Sequence, residues 1–291
     1  MTVGRSLGLA LAAAFVITVV IPGASAGQTP VAAEKPWSPP RTPDGQPDIQ
    51  GFWANQTKRL ATYDVEGPAD PIHVLMSGNP TDPVSLVIDP PDGRIPYLPW
   101  ARAKRQNVYD NHKDPTTWDH VDPHTLCWLS GIPRMFYQGM TQILQAPGYV
   151  VVLQEFNHAY RVIHLDGRPH VPANLKLFMG DSRGRWEGNT LHVDVSNKND
   201  KTWFDMVGDF YSDAVRIRER FTPIDPDRIR YEATFDDPTV YSRPFTIGLT
   251  LGRTVKGEDA KAFGFLEEAC REGERNIQHM LFRLGDRPSS R

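Results

Sequence analysis

With two cysteines in 291 residues, the chain has too few for a disulfide-dense scaffold, so an apolar core must hold it together. It also lacks an excess of either charge: 32 Lys and Arg stand against 35 Asp and Glu, for a net charge of −3. No basic block occurs, which argues against a nucleic-acid partner. After the first residues, no apolar run is long enough to span a membrane as a helix. No internal repeat is evident, and no glycine-rich loop sits between a strand and a helix to cradle a phosphate.

Proline and glycine are plentiful, at 26 and 23, and scattered, which means many turns rather than low complexity. The chain opens with "MTVGRSLGLALAAAFVITVVIPGASAGQTP". One Arg5, an apolar run and Ala24-Ser25-Ala26 read as a secretory signal, residues 1–26, cut after Ala26. The alternative, an uncleaved anchor, is disfavoured by Gly8, Pro22 and Gly23. The expected location is periplasmic or secreted, with no membrane span after signal removal. In such a compartment Cys127 and Cys270 are expected to pair, the alternative being two buried thiols. Neither has a visible activating partner for catalysis.

Residues 27–52 are too proline-rich for a helix and read as an extended N-terminal arm. The rest, 53–291, reads as one β-rich domain, irregular over 53–140 apart from a short helix in "PWARAKRQNVYDNHK" with Trp100 on its apolar face. From 141 to 255 the pattern is alternating. Asp166-Gly167 reads as a hairpin turn. Leu191, Val193 and Val195 share one face, as do Val215, Ile217 and Phe221, and Ile229, Tyr231, Ala233 and Phe235. Arg216, Arg218 and Arg220 lie opposite. Such alternation means antiparallel sheet with one buried face. Residues 256–284 read as a C-terminal helix. The expected fold is mainly antiparallel β, a lipocalin-like barrel with an irregular N-terminal wrap and a C-terminal helix, with a β-sandwich as the alternative.

"GDSRGRWEGNTLHVD", residues 180–194, reads as a loop and turn feeding a strand. Gly188 and Asn189 suit the turn, which leaves Asp181, Ser182 and Arg183 unexplained. Ser182 is a weak nucleophile because the strand-turn-helix setting of a hydrolase elbow is absent. His158 and His164, six apart on one strand, stand ~20 Å apart and cannot share a metal unless the strand breaks. His120 and His124 in "HVDPH" are a weak local ligand pair. Glu219 falls on an apolar face, where a carboxylate needs a partner or acts as an acid or base. Arg161 and Arg183 are available to it.

"RTPDGQPDIQGFW", "RVIHLDGRPH", "GDSRGRWEGNTLHVD", "NDKTWFD", "DDPTVYSRPF" and "EEACREGERNIQH" occur in this order. Over about residues 41–279 the chain resembles a large family of exported bacterial proteins whose motifs imply no particular activity. The resemblance implies an exported, β-rich protein. It also implies that many relatives carry His where this chain has Asp181, and His-Ser where it has Tyr211-Ser212. His170, His279, Cys270, Glu272 and Glu274 match the pattern. Two histidines of the typical site are thus replaced here, which puts a shared metal site in doubt.

The functional expectation is an exported enzyme doing cofactor-free acid-base chemistry, as a lyase, isomerase or hydrolase, on a small, partly apolar molecule in a barrel pocket. Asp181, His170, Tyr211 and Glu219 are the expected catalytic residues. Arg161, Arg183, Trp186, Trp203, Tyr231 and His279 are the expected ligand-binding residues. Two alternatives stay open. One is a non-catalytic binding barrel, and the other is a metal-dependent enzyme with a divalent ion on a His/Asp/Glu site of unknown ligands.

Overall fold

The computed structural model describes residues 37–57, 63–67, 85–264, 266, 268 and 270. The expected signal and the Glu272, Asn276 and His279 face of the expected helix lie outside the described residues.

Among the described residues, ten strands form one sheet. They are β1 (Gly51–Asn55), β2 (Val87–Asp89), β3 (Thr141–Ala146), β4 (Tyr149–Gln154), β5 (Tyr160–His164), β6 (Asp181–Glu187), β7 (Thr190–Ser196), β8 (Arg216–Asp225), β9 (Arg228–Asp236) and β10 (Phe245–Arg253). Neighbours run β1-β3-β4-β5-β6-β7-β8-β9-β10, and β1 pairs back onto β10, so nine strands close a ring while β2 adds to the far end of β10. Closure makes this a barrel and not a sandwich. It also removes the ring's open edges, which would otherwise template pairing with another chain.

The expected alternation holds from β7 to β10. Leu191, Val193, Val195, Ile217, Phe221, Ile229, Tyr231, Ala233 and Phe235 are all buried. Each such side chain taken out of water contributes about 1.5–3 kcal/mol if large and apolar.

Several expectations need correction. The stretch 181–187 is strand β6, not loop. It pairs residue for residue with β7, from Asp181↔Ser196 to Glu187↔Thr190. Its polar residues hide the strand: Asp181 on the outer face lies under other chain, and Ser182 on the inner face meets a buried arginine. Gly188 leads the two-residue turn with φ +61°, the conformation such hairpins favour in glycine. Asp166-Gly167 is not a hairpin turn. β5 pairs β6 in parallel, through Ile163↔Ser182 and His164↔Arg183, and parallel neighbours need a crossover of a dozen or more residues. The segment 165–180 is that crossover.

β1 and β2 lie in stretches expected to be irregular, and β1, starting inside the expected arm, closes the barrel. The predicted short helix is present as α1 (Pro99–Asn111), with Pro99 in its first turn, where a missing N–H is harmless. Its buried face is Ala101, Arg105 and Val108, whereas Trp100 is 52% exposed. Of the expected helix 256–284, the described residues hold one turn, α2 (Asp259–Ala262), ended by extended backbone at Phe263. His158 belongs to a 3-10 turn before β5, so it and His164 do not share a strand.

The barrel interior is filled. Residues just before β3 send Ile132, Met135 and Phe136 into the core. The Phe136 ring lies 4.6 Å from Tyr231 and 5.7 Å from Phe221. Side chains thus occupy the part of the interior around Phe136 where a pocket was expected, while a cleft lined in part by Trp53 and Ile229 reaches the core elsewhere. Cys127 and Cys270 are bonded, with Cα atoms 5.7 Å apart. Among the described residues, no helix is long and apolar enough to cross a membrane.

Candidate functional site

Alternation along β6 divides the polar motif between two surroundings. Asp181 and Arg183 point outward, under the crossover, while Ser182 points into the barrel. The letters Gly180-Asp181-Ser182-Arg183-Gly184 spell a hydrolase elbow, but they lie at and within a strand that turns into another strand. Ser182 Oγ accepts a hydrogen bond from Arg161 at 3.0 Å, and among the described residues no histidine is bonded to it.

Outside, Asp181 gathers the expected residues. Its Oδ2 lies 2.8 Å from His170 Nδ1 and accepts from the backbone N–H of Val171 at 3.1 Å. Its Oδ1 lies 2.7 Å from the Arg183 guanidinium. Arg183 in turn donates to the carbonyls of Arg168, Pro169 and Ser182, at 3.0–3.1 Å. The crossover is thus fastened to β6 at the point where it presents His170. With Nδ1–H given to the carboxylate, His170 is held as the tautomer whose Nε2 accepts a proton.

Asn197, just past β7, holds the next part of the crossover. Its amide donates to the carbonyls of Val171, Pro172 and Leu175 at 2.8–3.3 Å. It does so with φ +59°, a conformation rare for a residue with a Cβ and often found at functional sites. His170, Val171, Lys176, Ser196, Asn197, Asp213, Val215 and Arg216 line an open cleft of about 240 Å³.

Inside the barrel, Arg161 grips Glu219 with both terminal nitrogens, at 2.8 and 2.5 Å. Tyr231 donates to the same carboxylate at 2.7 Å. The ion-pair reading of Glu219 holds, with Arg161 as its partner. Burial works against the Arg161 charge, but Glu219 outweighs it and holds the guanidinium above its ordinary pKa. Removing one partner of such a buried pair costs about 3–5 kcal/mol, because the other charge is left alone.

Tyr211 is buried with its hydroxyl against Thr202, and burial pushes its phenol pKa up. Neither Tyr211 nor Glu219 touches the His170–Asp181 pair. Trp186 and Trp203 are partly buried against the core.

Two ionisable features escape the sequence. Lys198 is fully buried, its amine donating to the Phe178 carbonyl of the crossover. Burial, then Arg161, pushes its pKa down to about 7, against the pull of Glu219. Its only advance signal is a Lys just past an apolar alternation, and it falls out of phase with the buried face of β7; Asn197, with φ +59°, breaks the alternation between them.

The second feature is a buried trio, Asp64, Asp205 and Asp209, whose oxygens lie within 4.8 Å of one another. Arg105 of α1 donates to Asp64 and Asp209 at 3.1–3.2 Å. Asp205 accepts backbone N–H groups from Val65, Val207 and Asp209. Burial, then Asp209, raises Asp64 to about 7. Three carboxylates are a metal-like donor set, but here Arg105 and the backbone already engage them. His120 and His124 do not meet. His120 bonds Asn107 at 2.8 Å, and His124 bonds Ser130 at 3.2 Å. Burial, then Arg134, lowers His124 to about 4.

Fold and site together define a closed β-barrel with a His–Asp pair at the rim of an external cleft. No family model and no curated protein matches the chain. A solved structure, of a "secretary abundant heat soluble (SAHS) protein" from Ramazzottius varieornatus, is 10% identical, with a TM-score of 0.26, over 40% of this chain and 70% of that one. At that level the fold rests on the strand pairing described above.

Proposed function

We propose that this chain is an exported enzyme that moves protons on a small molecule bound in the rim cleft, without a cofactor. The observation that carries this reading is the 2.8 Å contact between His170 Nδ1 and Asp181 beside the cleft. In this reading His170 Nε2 takes a proton from substrate, leaving the electron pair on it. Asp181 steadies the imidazolium, and the proton returns to a different atom, or a leaving group departs. Arg183 and Asn197 keep the crossover, and with it His170, in place. The disulfide supports an oxidising compartment, and the resemblance of the sequence motifs to exported bacterial proteins supports the same address.

The second reading is a non-catalytic barrel that binds the same kind of molecule. It is favoured by the small size of the cleft and the filled interior.

The test is hydrogen exchange in heavy water across a panel of small carbon acids, followed by NMR. Wild type should exchange at least one compound, and Asp181→Asn and His170→Gln should slow that exchange by ~10²-fold or more, the usual weight of a general base. Arg185→Gln should be near neutral, since Arg185 is exposed and among the described residues pairs only with Glu187. Binding without exchange across the panel would leave the binding-barrel reading in place, and full exchange by His170→Gln would overturn His170 as the base.

A further inference from the structure

The outer face of the barrel carries a row of arginines at the start of β8, and one of them differs from the rest. Arg218 faces Asp236 at 3.8 Å, and Arg220 faces Glu232 at 3.4 Å. Arg216 lines the cleft; Asp236 is its cross-strand neighbour but is shared with Arg218, and no carboxylate lies within 4.0 Å of Arg216 among the described residues. The other cation there, Lys176, is already answered: it lies 3.3 Å from the Asp213 carboxylate and donates to that residue's carbonyl at 2.6 Å. Arg216 is therefore the cation of the cleft left without a close ion pair among the described residues.

Register places it relative to the proposed base. Asp181 pairs with Ser196. One residue beyond the Val195↔Ile217 pair, Ser196 faces Arg216. Asp181, Ser196 and Arg216 thus form one row across three outward-facing strand positions. At 4.7–4.9 Å per strand, Asp181 and Arg216 stand about 10 Å apart. The cleft between them holds about 240 Å³, room for roughly eight waters, and Val171 and Val215 give it apolar wall.

We infer that the cleft takes a small carboxylate with an apolar body, its carboxylate on Arg216 and its reacting carbon toward His170. This deepens the acid-base reading and rests on it. A guanidinium meets a carboxylate with two parallel hydrogen bonds, which fixes direction as well as position. A neutral amide loses the charge, and inorganic phosphate lacks the apolar body.

The test is a titration of the isotopically labelled full chain with benzoate, benzamide and inorganic phosphate at constant ionic strength, followed by amide NMR. Benzoate should shift residues of the crossover, the end of β7 and the start of β8. Benzamide and phosphate should bind at least tenfold more weakly. Arg216→Met should weaken benzoate at least tenfold with an otherwise unchanged spectrum, while Arg218→Gln should leave it unaltered. Equal binding of the three probes, or unchanged benzoate affinity in Arg216→Met, overturns the inference. His170→Gln should retain benzoate. If benzoate binding passes while the panel shows no hydrogen exchange, the acid-base reading fails alone. If exchange proceeds equally well without Arg216, the carboxylate inference fails alone.

Discussion

Asp181 and Ser182 are chain neighbours whose side chains meet different partners, because successive strand residues face opposite sides. The rule stops at Asn197, whose φ of +59° breaks the alternation, and Lys198 beyond it is buried among aromatic and polar groups, where its charge is disfavoured. Unfolded, the amine keeps its proton up to about 10.5; folded, it does so only up to about 7. Between those values the unfolded chain binds more protons, so raising the pH favours the folded state. Below pH 7 both states are protonated, and the native protein bears the full cost of a buried ammonium. Lys198→Met removes that cost. Its stability relative to wild type should be greatest below pH 7 and should decline steadily as the pH approaches 10.5. The lost bond to Phe178 adds only a constant offset. Urea melts of both proteins at pH 6, 8 and 10 measure the difference. A difference that does not change with pH would mean that the amine titrates normally.

At the scale of elements, β7 to β10 were legible because their buried faces are apolar and their turns carry Gly, Pro or Asp. β6 was not, because both of its faces are occupied by polar side chains: Ser182 meets Arg161 inside, and Asp181 meets His170 outside. The His–Asp pair was legible as residues but not as a contact, because a 165–180 crossover cannot be told from a hairpin by turn signals alone. The trio Asp64, Asp205 and Asp209 was not legible, since Asp64 lies about 140 residues from the other two and meets them only through the fold. The parallel seam between β5 and β6 imposes one further demand. A Cβ on Gly184 would stand 2.6 Å from Ile163 Cγ2 and 2.7 Å from Leu165 Cδ2. Gly184→Ala should therefore destabilise by about 1–3 kcal/mol, as overpacking does, whereas Gly188→Ala has open space and meets only the strain of its φ. Thermal melts of Gly184→Ala and a nearby exposed control, Arg185→Ala, decide it. Equal melting temperatures would mean that the seam yields at no cost.

For the whole molecule, the barrel closes through strands far apart in sequence, and the residues that plug it come just before β3. Cys127 lies at the start of that plug and Cys270 beyond the last strand, 143 residues apart. Every strand from β3 to β10 lies between them, so the bond encloses nearly the whole barrel. Cross-linking so long a loop restricts the unfolded chain far more than the folded one. In the chain-entropy account this contributes about 2–5 kcal/mol. The bond also ties the plug to the chain that follows α2, where Asn157 accepts support from both sides: its N–H donates to Glu268 at 2.6 Å, and its amide donates to the Trp128 carbonyl at 2.9 Å. Cys127→Ser with Cys270→Ser should lower the unfolding free energy by that amount, with a similar slope on denaturant if the unfolded chain does not collapse further. The His170–Asp181 pair lies on the crossover and β6, away from the bond, so hydrogen exchange catalysed at the cleft should survive in the double variant below its melting temperature. Thiol titration of wild type under denaturing, non-reducing conditions should find no free thiol. Two free thiols, or a double variant as stable as wild type, would show that closure of the barrel alone holds the plug.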